Sequence, residues 1–377
     1  MLTSENAPFQ ELRYCVRCCL PETSEGIDFD ELGICKACRS SEMKMHINWV
    51  EREKRLRKLL EETKAKAGDN YDCLVPISGG KDSYFQLHVL RNVYGVKPLT
   101  CTFSHNWWTE TGKWNLQNCL EVFDVDHVMF TPSRGLINKI ARKSLCVIGD
   151  ACWHCHAGVG AYPLKVASQY KVPLLIWGES AAEFGSKATY EDQIDFDETY
   201  YLKVSMKVDA SKMVDGEIGL TDRDLFPFRL PTREEIAANS IRGIHLGDYI
   251  FWDGERQMEF LKKEYGWRED HVEGTYKGYK SVECRMAGVH DYSKWVKRGF
   301  GRATDHASID VRNGLMSREE GLKLAKRIDA ERPEVLDYYL EITGYTEEEF
   351  LDILESQRQG QAKELPKVPR PGERKTP

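Results

Sequence analysis

Apolar positions along this chain switch between two periods. Residues 71–77, Tyr-Asp-Cys-Leu-Val-Pro-Ile, form a short apolar run that stops at Ser78-Gly79-Gly80, which predicts a buried strand entering a tight turn. Helical spacing follows from about Asp82 to Val93. A second strand is predicted over Lys97 to Ser104 and a third over His127 to Thr131. A helix from about Gly158 to Tyr170 leads into another apolar run, Val172 to Trp177. Such strand–helix alternation predicts a parallel sheet covered on both faces. Ligands of such sheets sit beyond the carboxyl ends of the strands. Three predicted strands end there in polar or glycine sequence: at Ser78, at Ser104-His105-Asn106 and at Gly178-Glu179-Ser180.

The flanks read differently. Trp49, Leu56, Leu59 and Leu60 recur at helical spacing within the charged stretch 48–67, a connecting helix. Beyond Leu230 the chain reads as mostly helical. Thr232-Arg-Glu-Glu235, Ser317-Arg-Glu-Glu320 and Thr346-Glu-Glu-Glu349 each place a hydroxyl three residues before a glutamate, the capping-box signal of a helix start. From about Gln357 the chain is rich in Gln, Pro, Lys and Arg with little to bury, which predicts a disordered tail. The organisation expected is a metal ribbon (1–45), a linker helix (46–70), an α/β domain (71–230), a helical region for substrate or partner (231–356) and the tail (357–377).

Composition narrows the setting. At 377 residues and 41% apolar content the chain has material for more than one core. No apolar stretch is long enough to span a membrane, and Met1–Gln10 lacks the basic start and apolar run of a signal peptide, so a cytoplasmic location is expected. The net charge of −7 speaks against a partner held mainly through nucleic-acid phosphates.

Cysteine spacing supplies the first chemistry. Cys15-Val-Arg-Cys18 and Cys35-Lys-Ala-Cys38 are two knuckles at zinc-ribbon separation. Four thiolates fill a tetrahedral Zn²⁺ shell and leave no position open, so that metal is structural. About 40 residues bury too little apolar surface to fold alone, and the ion supplies the difference. Cys19 is out of step and is left as a spare. A second pair, Cys152 and Cys155 in Cys-Trp-His-Cys-His, has three open readings: a structural pair, a metal or iron–sulfur site completed by a residue such as Cys284, or a metal-free wall of the active site.

The segment Ser78-Gly79-Gly80-Lys81-Asp82-Ser83 lies between a predicted strand and helix, where free backbone N–H groups and the helix dipole suit phosphate. Glycines let the backbone approach the ligand, Ser78 and Ser83 add hydroxyls, and Lys81 adds a cation. Asp82 would repel phosphate unless Mg²⁺ bridges the two. The spacing is not that of a Walker loop. It resembles the SGGxDS PP-loop of the ATP-pyrophosphatases, also called adenine nucleotide α-hydrolase-like proteins, which adenylate an oxygen and release pyrophosphate.

Ribbon, linker and PP-loop in this order, with Leu20-Pro-Glu-Thr23, Gly178-Glu-Ser180, Leu230-Pro-Thr-Arg-Glu-Glu235 and Gly299-Phe-Gly-Arg-Ala-Thr-Asp-His-Ala-Ser-Ile-Asp-Val-Arg312, resemble the N-acetyl sugar amidotransferases of surface-polysaccharide and O-antigen synthesis, the WbpG-type proteins. The resemblance runs from about Arg13 to about Phe350. It implies that ATP activates the oxygen of an acetamido group on a nucleotide-linked sugar. Ammonia from a separate glutaminase subunit, similar to that of histidine biosynthesis, then displaces AMP to give an acetamidino group. Asp82, Lys81 and Glu179 are the expected catalytic residues. Ser78 to Ser83, Phe103 at the adenine and Gly178 are expected at the nucleotide. Glu179 is open between Mg²⁺ binding, orienting ammonia and merely capping a turn. Arg302, Thr304, Asp305, His306 and Arg312 are expected at the sugar or its diphosphate, with His306 a possible general acid or base; ordinary surface ion pairs are the competing account. Lys277, Lys280 and Arg285 form a second candidate basic patch, with solvated surface the preferred reading over a site. The rival function is a PP-loop tRNA thiolase with a cluster on Cys152, Cys155 and one further cysteine.

Overall fold

In the computed structural model residues 7–184, 189–190, 206–238 and 240–373 are described. Five parallel strands form one sheet: β1 (Cys73–Pro76), β2 (Pro98–Phe103), β3 (Asp126–Phe130), β4 (Leu174–Trp177) and β5 (Arg242–His245), in the order β3-β2-β1-β4-β5. The chain builds outward from β1 in one direction through β2 and β3. It then returns to add β4 and β5 on the other side. The order therefore reverses between β1 and β4, which pair at Leu74 and Leu175, and the crevice beyond such a reversal is where ligands bind in open α/β sheets.

The pleat explains why these strands read as unbroken apolar runs. Cys73, Val75, Leu174 and Ile176 face one core with Leu87, Phe123 and Trp267. Leu74, Leu99, Cys101 and Leu175 face the other with Leu164 and Val166. Both faces of β1, β2 and β4 are buried, so alternation is lost there, whereas the edge strand β3 is partly exposed. The helices of the sheet layer are α1 (Lys36–Lys44), α2 (Trp49–Ala67), α3 (Lys81–Leu87, continued by a π-turn over His88–Val93), α4 (Glu110–Phe123), α5 (Arg134–Ile148), α6 (Trp153–Tyr170), α7 (Arg233–Ala238) and α8 (Gly254–Tyr265). The C-terminal layer is α9 (Ala287–Arg298), α10 (Arg302–Arg312), α11 (Arg318–Ile328), α12 (Val335–Thr343) and α13 (Glu347–Ser356). Helices α11 and α13 open on the capping boxes expected at Ser317 and Thr346. Thr232 exchanges the same pair of bonds with Glu235 ahead of α7.

Two expectations fail. The sheet does not end before residue 230, because β5 lies in the stretch read as helical. Its four residues, Arg-Gly-Ile-His, hold one large aliphatic side chain and so form no apolar run of the kind seen in β1 and β4, and only pairing with β4 makes them a strand. The tail is also structured through residue 373. Ala362 and Leu365 are buried against Leu12, Tyr14, Ala307 and Leu322, and Val368 is buried too. Gln357 Nε2 donates to the carbonyls of Leu145 and Cys146 at the end of α5. Arg358 is held by the carbonyls of Val296 and Leu365. Composition counts few apolar residues here, but Ala362 and Leu365 land in a groove made by the N-terminal segment and α10–α11, and Val368 joins the core that includes Leu145, Val296 and Leu354. Residues 374–377 lie outside the described part. Among the described residues no helix is long and apolar enough to cross a membrane.

Candidate active site

The four ribbon thiols converge. Cys15 Sγ lies 3.9 Å from Cys38 Sγ, Cys18 Sγ lies 3.6 Å from Cys35 Sγ, and all four sulfurs lie within 4.8 Å of one another. Tetrahedral Zn²⁺ with Zn–S bonds of about 2.3 Å requires sulfurs about 3.8 Å apart, so the donor set fits the ion. Backbone N–H groups of Arg17 and Cys35 donate to Cys15 Sγ, as expected of a thiolate. The ribbon docks on the C-terminal helices through Arg318, whose Nε donates to the carbonyls of Cys15 and Cys18. Cys19 is no spare. Its buried thiol donates to the Arg318 carbonyl, and a Cβ on Gly321 would meet it at 2.7 Å.

At the tip of β1 the chain turns through Gly79 at φ +77°, where a Cβ would lie 2.5 Å from the Leu116 amide nitrogen; only glycine fits. Trp267 Nε1 donates to the Gly79 carbonyl at 3.0 Å, Ser78 N–H donates to Ser83 Oγ at 2.9 Å, and Gly80 caps α3. Ser83 therefore braces the turn from within. Ser78, Gly80, Lys81 and Asp82 face a cavity of about 580 Å³. Lys81 is buried and pairs with Asp82. Glu179 enters the same cavity from the tip of β4, on the other side of the strand-order reversal.

Lys280, read from the sequence as solvated surface, stands between these two carboxylates. Its Nζ lies 3.8 Å from Glu179. Burial alone would depress the Lys280 pKa, but Glu179 and Asp82 prevail and raise it. For Asp82, burial pushes upward while Lys81 and Lys280 pull downward and prevail, so it is held ionised. Glu179 moves the other way, since burial dominates and Asp82 adds repulsion against the pull of Lys280. Glu283, also unpredicted, faces Gly80 from the far wall; burial raises its pKa. The cavity is lined by as many carboxylates as lysines and arginines. It has no net positive charge of its own for a triphosphate, and Asp82, Glu179 and Glu283 do not form a group of donors within 4.8 Å of one another among the described residues.

The expected sugar residues divide. Arg302, Asp305, His306 and Arg312 all line the cavity. Arg302 is already paired with Asp291 and donates to Ser281 Oγ at 2.8 Å, while Asp305 is paired with Lys294. Arg312 differs, because its buried Nη1 has no hydrogen-bond partner. Thr304 is absent from the cavity. Its hydroxyl donates to Asp329 Oδ2 at 2.6 Å, and Asp329 also receives the Ala303 and Thr304 amides, capping α10 from the next helix. His306 is buried and bonded to Thr275 Oγ1 at 2.6 Å. Burial, reinforced by Arg302, Lys280, Lys277 and Lys294, drives its pKa well down. The ring is neutral near neutral pH and is no proton donor in the imidazolium sense.

Phe103 is likewise not at the cavity. It is packed against Phe228 and Phe130, and a Cβ on Gly158 would strike its ring at 2.3 Å. Gly178 sits against Gln86, which a Cβ would meet at 2.4 Å. Among Cys152, Cys155 and Cys284, burial raises all three pKa values, and each pair adds mutual repulsion. They are neighbours, but their sulfurs do not join the groups of donors that lie within 4.8 Å among the described residues. A second cavity, of about 710 Å³, opens beside the first and shares Glu179, Lys280, His306 and Arg312 with it.

Comparison with known proteins adds to this geometry. No curated protein matches the chain by sequence. The structure of NMN synthetase from Francisella tularensis aligns at 14% identity and a TM-score of 0.29, covering 60% of this chain and 98% of that one. Residues 273–363, which include Lys280, Glu283, Arg302, His306 and Arg312, match the C-terminal domain of WbpG-like LPS biosynthesis proteins. The wall that closes over the glycine turn is thus similar to the C-terminal domain of WbpG-like LPS biosynthesis proteins, and in this chain it is joined to a parallel α/β sheet and a four-cysteine cluster.

Proposed function

We propose that this chain is an ATP-dependent amidotransferase acting on an acetamido group of a nucleotide-linked sugar in lipopolysaccharide synthesis. One observation carries the reading: the glycine turn of the sheet and the WbpG-like helix Arg302–Arg312 line a single cavity. Nucleotide and acceptor therefore have a place to meet. The turn and Lys81 hold the pyrophosphate end of ATP. Asp82, held ionised, is the residue that would hold Mg²⁺, which when bound would supply neutralisation of phosphate charge. The amide oxygen attacks the α-phosphorus and pyrophosphate leaves. Ammonia then adds to the activated carbon, loses a proton and expels AMP. Lys280 keeps Asp82 ionised and faces the charge that develops during phosphoryl transfer. Arg312, with an unpaired buried nitrogen, suits the diphosphate of the sugar nucleotide. Ammonia is mostly protonated and inert in water near neutral pH, so delivery by a glutaminase partner into this enclosed space suits the chemistry.

Incubating nucleotide-linked diacetamido sugars with the protein, ATP, Mg²⁺ and ammonium tests this by mass spectrometry. A product carrying NH in place of one oxygen, formed with AMP and pyrophosphate, is expected. Release of ADP and orthophosphate instead would sink the reading. The mutual proximity of Cys152, Cys155 and Cys284 keeps tRNA thiolation as the second reading. Anaerobic purification separates the two, since a brown protein with iron–sulfur absorbance supports thiolation.

A further inference from the structure

A second donor cluster lies in the cavity wall away from the glycine turn. Asp150 follows α5, His156 sits in the first turn of α6, and His290 sits in the first turn of α9. One donor atom from each lies within 4.8 Å of the others, and all three residues line the cavity that holds the phosphate turn. We infer that Asp150, His156 and His290 form a second metal site, for a divalent transition cation of the Zn²⁺ class, which presents an open coordination position to the ligands of this cavity. The inference goes beyond the proposed amidotransfer and does not depend on what the acceptor is.

Geometry favours an ion over a simple ion pair. His290 Nδ1 and Asp150 Oδ1 are 2.9 Å apart, and the His156 and His290 rings are 5.6 Å apart between centroids. Zinc bonds to nitrogen and oxygen of about 2.0–2.1 Å put tetrahedral donors about 3.4 Å apart, so small side-chain adjustments suffice. An Asp–His pair needs one imidazole, whereas here two converge on one carboxylate. That carboxylate is oriented from behind: the Cys152 amide donates to Oδ1 at 2.9 Å, and Lys207 Nζ stands 3.7 Å from Oδ2. Such outer contacts fix first-layer ligands in metal sites. Three protein donors leave a tetrahedral ion at least one position for water or a substrate oxygen, unlike the closed four-cysteine site. His290 comes from the WbpG-like domain and the other two donors from the sheet layer. A bound ion would therefore clamp the two layers at the cavity.

The test is metal stoichiometry of the full-length protein, measured by elemental analysis after dialysis against Zn²⁺ under reducing conditions. Two ions per chain are expected. The H156A/H290A double variant should keep one, and the C15S/C18S variant should lose the other. Cobalt substitution separates the sites optically, because only the four-cysteine site gives intense thiolate charge-transfer bands. Retention of those bands in H156A/H290A also reports that the variant is folded. If it is not, the single variant H156Q is read the same way, with at least a tenfold weaker second equivalent expected. A wild-type protein that holds one ion, or histidine variants that still hold two, would overturn the assignment.

Discussion

Gly79 shows how much one side chain decides. A methyl group there meets the Leu116 backbone at 2.5 Å, and the backbone sits at positive φ. Gly79→Ala should abolish nucleotide binding, measured by calorimetry, and lower stability by about 1–3 kcal/mol. Arg312→Met should behave differently. Its Nη1 has no partner to lose, so thermal stability should hardly change while KM for the sugar nucleotide rises about tenfold or more, from the loss of a charged hydrogen bond worth about 1.5–3 kcal/mol; Arg312→Lys should restore part of it. Asp329 makes a pH prediction. Burial lifts its pKa from 3.8 to about 6 against the hydrogen bond from Thr304. The folded state then binds the proton more tightly than the unfolded one. The resulting stability is complete below pH about 4 and is lost as pH rises through about 6, a change of up to about 3 kcal/mol. Denaturant titrations of wild type and Asp329→Asn should show this slope in the wild type alone.

At the scale of elements, pattern worked where an element is long or flanked by punctuation. The first four strands, the linker helix and the three hydroxyl–glutamate helix starts were legible, because each pairs an apolar period with a turn or cap. β5 was not, since Arg-Gly-Ile-His carries a single large aliphatic residue and no apolar run. The tail failed for the opposite reason: disorder was inferred from an average, while Leu365 and Val368 each find a groove. Truncation after residue 356 should therefore cost about 3–5 kcal/mol, from the burial of two aliphatic side chains, and lower Tm by several degrees in a thermal melt. The ribbon is an element of the same kind. Chelating its ion should unfold it and release the Arg318 contacts, so that proteolysis exposes the α10–α11 connection as well as the first 45 residues.

For the whole molecule, the site exists because two layers face each other across the point where strand order reverses. Local motifs carried half of it. The glycine turn, the cysteine knuckles and Gly178-Glu179 are each local in sequence, so residue type and spacing alone marked them as candidates. Spacing could not separate Arg312, which faces the cavity, from Thr304, which caps a helix with Asp329; eight residues of one helix present different sides. Phe103, at the end of a strand, turned inward to the core rather than toward a nucleotide for the same reason of face. Lys280 read as solvated surface, and Glu283 was not singled out, because Glu179 and Asp82, which share the cavity with them, lie about a hundred or more residues away in sequence. The donors Asp150, His156 and His290 form no motif at all, since folding alone brings the third to the first two. What the chain determined by itself was the parallel sheet, the glycine turn and the four-thiol ribbon, all written in short-range spacing that obeys backbone geometry and ligand valence. What tertiary structure decided was which charges share one enclosed space, because burial and electrostatic coupling depend on distance through space and not on distance along the chain.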